Sequence, residues 1–188
     1  MSVSDNRTLE ALEFIPGVTK GLMQSTLNSE ITQKPRLTIE LVPQTCWFSN
    51  VRSEVSLADW DRLRKTTAEA AGNQCEVCGG RGPKWPVECH EIWDYDDAAH
   101  RQTLLGLTAL CPACHEVKHI GLANVRGRGH VAAKHLAAVN GWTQAQADKY
   151  IAEQFAVWEK RSRFEWALDL SWLEQCEIAI KKPRRSSR

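Results

Sequence analysis

Two pairs of cysteines and a scatter of histidines between and after them are the residues here whose types and spacing could do chemistry. Cys75-Glu76-Val77-Cys78 and Cys111-Pro112-Ala113-Cys114 each put two thiols on one tight turn. Four such sulfurs can surround Zn²⁺ as a tetrahedron at about 2.3 Å, a closed structural site. The chain has 7 cysteines, an odd number, and the Cys-x-x-Cys spacing favours metal over a disulfide framework or a redox pair. Cys46, Cys89 and Cys176 stand outside the two pairs and read as small core hydrophobes, Cys89 on the apolar side of a strand with Val87. The stretch between the knuckles is too long for a compact zinc ribbon. It holds Val87-Glu88-Cys89-His90-Glu91-Ile92-Trp93, and the second knuckle is followed by His115-Glu116-Val117-Lys118-His119.

That last run matches the H-E-x-x-H pattern of zinc proteases, in which two histidines four apart share a helix face and a glutamate activates water. The surroundings argue against it. The helix starts at the knuckle, with Pro112 suited to its first turn, and Gly121 is expected to end it just past His119. No third ligand follows on another helix. A protease is therefore a distant third reading.

The whole stretch has a different order: a knuckle, a strand with Glu-x-His, a second strand over Leu104–Leu110, a second knuckle, and a helix with His-x-x-x-His. This order resembles the HNH endonucleases of bacterial or phage type, over residues 73–121. The resemblance implies a ββα-metal fold, in which a hairpin packs on one helix with a divalent metal between them, here with a four-cysteine zinc elaboration. It implies an α+β protein in which this zinc-stabilised module is wrapped by flanking helices and short strands. It also implies an enzyme hydrolysing phosphodiester bonds in DNA, with His90 and His115 as ligands of a catalytic divalent metal and His119 supporting them. Imidazole ligands suit Zn²⁺, Mn²⁺ or Ni²⁺ better than Mg²⁺. Cys75, Cys78, Cys111 and Cys114 would hold the structural zinc.

Two departures bear on the chemistry. The family's first strand ends in a ligand followed by a histidine base. In one register these are His90 and Glu91, and the base is a carboxylate, weaker than imidazole at its usual pKa of about 4.3. In the other register His90 is the base, and Glu88 or Cys89 meets the metal. The family's middle asparagine falls on Gly106, which has no side chain to orient a base; Gln102 and Asp94 are the candidates to replace it. These departures favour the alternative of a catalytically degenerate zinc module that binds DNA or a protein partner without cutting.

The elements that must position these residues come from the rest of a 188-residue chain with 43% hydrophobic and 25% charged residues, a composition that excludes wholesale disorder. No apolar run is long enough to span a bilayer, and the first twenty residues are no signal peptide, so a cytoplasmic protein is expected. The net charge of +1 hides an asymmetry. Residues 1–110 carry 11 basic and 15 acidic side chains, and residues 111–188 carry 13 and 8. Arg126, Arg128, Lys134 and the basic tail 181–188 could neutralise DNA phosphates.

Four segments are expected: a wrapping segment over 1–72, the module over 73–121, a helical and strand segment over 122–180, and the tail. Leu37, Ile39 and Leu41 alternate in a strand over Arg36–Val42, which could pair with a second over Trp166–Trp172. Ser56 opens a helix that stops before Gly72, Asn124–Gly129 reads as a flexible basic loop, and a short helix covers about 130–139. Thr143 and Gln146 form a capping box for a longer helix carrying Ala147, Tyr150, Ile151, Phe155 and Trp158 on one stripe. His100, His130 and His135 lack partners at ligand spacing. Asp94, Asp96 and Asp97 read as a solvated hairpin loop, and most of the 8 tryptophans as packing residues, with Trp85 and Trp93 flanking the hairpin.

Overall fold

Backbone hydrogen bonding turns the stretch after the first knuckle into a β-hairpin. The computed structural model describes residues 34–47 and 50–181, so residues 1–33 and the basic tail from 182 onward lie outside it. β1 (Glu88–Asp96) and β2 (Arg101–Leu110) pair antiparallel, with Glu88 opposite Leu110 and Asp96 opposite Arg101. The register shifts between Ile92 and Trp93. Such an irregularity lets one strand change which residues it turns to a face. Leu107 and Leu104, three apart, accordingly pack into the same core.

Helices flank the hairpin on both sides in sequence: α1 (Val51–Glu54) and α2 (Leu57–Ala70) before it, α3 (Pro112–Lys118), α4 (Ile120–Val125), α5 (Gly129–Asn140) and α6 (Gln144–Arg161) after it. A third short strand, β3 (Ala167–Asp169), runs parallel to the start of β2, and α7 (Trp172–Gln175) follows. The fold is mixed α+β around a small three-stranded sheet, ordered β1-β2-β3, and residues from Pro35 onward form one compact unit. No helix among the described residues is long and apolar enough to cross a membrane.

The caps explain where the helices start. The Ser56 hydroxyl accepts from the Asp59 amide and opens α2, and Thr143 with Gln146 forms the reciprocal capping box of α6, so these orphan donors are satisfied locally. Pro112 occupies the first turn of α3, where its missing N–H costs nothing. Gly141, at φ 67°, takes the left-handed conformation that ends α5.

Four expectations need correction. The segment 36–42 is extended but forms no strand, and it does not pair with residues 166–172; its backbone contact to the helices is Glu40 N–H to Lys118 C=O, 3.1 Å. Its alternation is nevertheless real, since Leu37 and Ile39 are buried in the first core. The strand expected over Trp166–Trp172 is only three residues long and pairs with β2. Gly121 does not end the helix after the knuckle. The break falls at His119 (φ −97°, ψ 41°), and Gly121 lies inside α4, where an added Cβ would approach Leu41 Cδ2 to 3.3 Å. Nor is 124–129 a loop throughout, because helices reach in from both sides as far as Val125 and Gly129.

Apolar side chains gather into two cores. The first joins Leu37, Ile39, Leu110, Val117, Ile120 and Leu136 with the knuckle cysteines. The second joins Val51, Val55, Leu63, Leu104, Leu170 and Leu173, with Trp60, Trp93 and Trp172 packed against it. The hairpin contributes to both.

Candidate metal centres

The two knuckles converge. One sulfur each from Cys75, Cys78, Cys111 and Cys114 lies within 4.8 Å of the others, with Cys78 Sγ 3.7 Å from Cys111 Sγ. The first knuckle is closed by Cys75 N–H to Gly80 C=O and Gly79 N–H to Cys75 C=O, at 3.0 and 2.8 Å. Gly79 supplies the positive φ of 74° that this turn needs. It is fastened to the end of β2 by Glu76, whose backbone N–H donates to Ala109 C=O and whose carboxylate accepts from Thr108 Oγ1 and Ala109 N–H. The second knuckle begins at the very next turn of chain. Burial, and then the neighbouring Cys75 and Cys111, push the Cys114 thiol far above its ordinary range. Four thiolates this close repel one another unless a cation sits among them, so the donor set fits a metal ion such as zinc.

A second cluster lies on the hairpin–helix face. One ring nitrogen each from His90, His115 and His119 lies within 4.8 Å of the others, and the three ring centroids are 4.7–5.2 Å apart. His90 comes from β1, His115 from the middle of α3, and His119 from the break after it. His115 Nε2 and His119 Nε2 are 3.2 Å apart. Burial first, then the neighbouring histidines and Lys118, drive the imidazoles of His90 and His119 down to about 3. Both rings are therefore neutral at ordinary pH, the form that offers a lone pair to a metal. Carboxylates hold two of the rings from outside: Glu88 Oε2 pairs with His115 Nδ1, and Glu40 Oε2 lies 3.4 Å from His90 Nε2. That leaves His90 Nδ1 buried without a hydrogen-bond partner. A buried ring nitrogen left open beside two other imidazoles fits a divalent cation.

Glu91 does not join this cluster. It follows His90 on a strand and so faces the other way. Its cross-strand partner Leu107 packs in the second core, and its carboxylate accepts from the Val51 backbone N–H at the start of α1. Burial raises its pKa. Cys89 shares that face, its thiol pushed by burial to about 11. Glu88 faces the histidines, but as a partner of His115.

Neither candidate for the missing asparagine reaches the site. Gln102 is buried opposite Tyr95 and donates to its hydroxyl, six residues along β2 from the partner of His90, roughly 20 Å along the strand. Asp94, opposite Thr103, is exposed. A Cβ added at Gly106 would make only ordinary contact with the Trp172 ring, at 3.9 Å, so packing does not demand glycine there.

A cleft of about 560 Å³ opens beside the histidines, lined among others by His115, His119, Glu88, Arg81, Arg126 and Arg128. Arg128 donates through Nε and Nη2 to the two carboxylate oxygens of Glu116, the residue that a protease would need for water activation. Lys134 lies exposed on α5.

Two residues escaped the sequence reading. Glu40 drew no role beside the alternating Leu37, Ile39 and Leu41, yet only 12% of its side chain is exposed. His135 had no partner at ligand spacing, yet its Nε2 lies 3.2 Å from Cys114 Sγ. No local signal marks either, because both contacts depend on how distant elements pack. Comparison of the chain with protein-family models, with curated proteins and with solved structures finds no match.

Proposed function

We propose that this protein is a metal-dependent endonuclease that hydrolyses phosphodiester bonds in DNA, built on an HNH-like ββα-metal module. The observation that carries the reading is the convergence of His90 from a β-hairpin with His115 and His119 from the helix after it, at the side of an arginine-lined cleft. The four-cysteine cluster, at the junction of β2 and α3, would be the structural zinc site that fixes the hairpin against the helix.

A divalent metal held by the three histidines would supply charge stabilisation at the scissile phosphate. The chain's own groups do the rest. Arg81 and Arg126 offer guanidinium donors to phosphates entering the cleft, whereas Arg128 is already paired with Glu116. Glu88 fixes the tautomer of His115 by accepting at Nδ1, which leaves Nε2 for the ligand role. Glu88 lines the cleft and could accept a proton from water only through Oε1, since Oε2 is held by His115 Nδ1, while Glu91 points into the other core.

Conversion of supercoiled plasmid to nicked or linear DNA in Mg²⁺, Mn²⁺ or Ni²⁺ tests the proposal. Cleavage is expected to be lost in His90→Ala and His115→Ala. Cleavage that survives both substitutions defeats the assignment. The lack of a side chain at Gly106 favours a second reading, a zinc module that binds DNA or a protein without cutting. Metal analysis separates them: one tightly held zinc per chain supports the second reading, and an additional exchangeable metal lost in His115→Ala supports the first.

A further inference from the structure

The extended segment 35–42 lies outside the hairpin–helix module in sequence, yet it reaches the back of the histidine cluster. Asn140 pins its start through Arg36 N–H, Leu37 N–H and Leu37 C=O, and Lys118 pins its middle through Thr38 Oγ1 and the Glu40 N–H. The result puts the Glu40 carboxylate beside the His90 ring.

An ion pair with the half-buried Lys118 accounts for only part of that carboxylate. Lys118 Nζ is 3.6 Å from Glu40 Oε2, while its 2.8 Å hydrogen bond goes to Thr38. The other oxygen, Oε1, is buried with no hydrogen-bond partner. A buried carboxylate left half-satisfied costs stability and calls for a compensating role. His90 is in the complementary condition, with Nε2 toward Glu40 and Nδ1 buried and open. When an imidazole gives a lone pair to a cation, positive charge spreads over the ring and its remaining N–H becomes a stronger donor. A carboxylate behind that N–H is then held more firmly, here through Oε2.

We propose that Glu40 is a positioning residue for the histidine centre, fixing the ring of His90 from behind and making segment 35–42 part of the metal site. The inference rests on the reading that His90, His115 and His119 hold a divalent metal. It pairs Glu40 with His90 as Glu88 is paired with His115, so two of the three ligands are oriented by a carboxylate from a different element.

The test is titration of the full-length, zinc-loaded protein with Co²⁺, followed by visible absorption and calorimetry. Glu40→Gln is nearly isosteric and should weaken Co²⁺ binding by about 10–100-fold and shift the absorption bands. Its thermal midpoint without added Co²⁺ should fall as well, since Lys118 loses its nearly buried ion-pair partner, so the Co²⁺ affinity is the deciding readout. A purely architectural Glu40 gives the lower midpoint with unchanged Co²⁺ affinity, and that outcome overturns the proposal. Thr38→Val removes the neighbouring Lys118 anchor and should leave Co²⁺ affinity unchanged. Equal weakening in both variants would assign the effect to docking of the segment and overturn the role of the carboxylate. If the wild-type protein takes up no Co²⁺ beyond its structural zinc, the metal reading itself fails, and the inference with it.

Discussion

Replacing Asn140 with alanine should unfasten segment 35–42 from the body of the protein. The Asn140 side chain acts as a one-residue strand partner: Oδ1 accepts from Arg36 N–H at 2.8 Å and Leu37 N–H at 3.0 Å, and Nδ2 donates to Leu37 C=O at 2.9 Å. Alanine removes all three. At about 0.5–1.5 kcal/mol for each net hydrogen bond, the loss lies between about 1.5 and 4.5 kcal/mol. Leu37 is fully buried, so its backbone groups cannot turn to water without dragging the side chain out of the core. That places the cost no lower than the middle of the range, about 3 kcal/mol. Urea unfolding of the zinc-loaded protein measures it directly. For a chain of this size the same loss lowers the thermal midpoint by about 6–12 °C. A destabilisation under about 0.5 kcal/mol would refute the claim that this amide anchors the segment. A large loss with unchanged Co²⁺ binding would show that the anchor and the histidine centre are energetically separate.

Other perturbations bear on the knuckle, the buried histidines and the zinc. Gly82→Ala would place a Cβ 2.1 Å from the Trp85 carbonyl oxygen and 2.6 Å from Pro112 Cδ; because a backbone oxygen cannot rotate aside, about 1–3 kcal/mol should be lost in urea unfolding. With the histidine centre metal-free, His90 and His119 titrate near 3 in the folded chain and near 6.5 when unfolded. Below about pH 6.5 the unfolded state therefore binds more protons, and stability should fall as pH drops towards 3. Glu40, raised by burial to about 7, opposes this between about 4.5 and 7, so the decline should steepen below about pH 4.5. Unfolding midpoints measured across that range check both the sign and the change of slope. Removing metal with a strong chelator should release one zinc per four reactive thiols and abolish the cooperative thermal transition of the first core, which near-ultraviolet circular dichroism would record.

The grouping of these cysteines and histidines was legible because their spacing is local. Each Cys-x-x-Cys is a single turn, and His115 and His119 are one helical turn apart, so sequence alone puts each pair on one side. Caps at Ser56 and Thr143 were legible for the same reason. Strand register was not. Adjacent Glu88, Cys89, His90 and Glu91 left two assignments open, and only pairing with β2 shows Glu88 and His90 on the helix side and Glu91 on the other. The segment 36–42 had the right alternation but the wrong neighbour. Its inward residues pack on helices, and a strand needs a partner's backbone, which periodicity does not supply. Glu40 and His135 depend on contacts across 50 and 21 residues, beyond the reach of any local pattern.

The hairpin divides its loyalties between two cores, and this has a consequence for how the chain comes apart. Around Glu88–His90 and Thr108–Leu110 it is tied to the cysteine cluster through Glu76, while Leu107 already packs in the second core. Past the irregularity at Ile92/Trp93 it is held by Leu104 and Leu168, by β3, and by the Arg161–Asp97 ion pair. The two halves need not open together. Amide hydrogens of Val117, Ile120 and Leu136 should exchange with solvent many times more slowly when zinc is bound, while those of Leu63 and Leu104 respond weakly. Exchange rates read residue by residue would then show two cooperative units in one chain, with their boundary running across a single pair of strands.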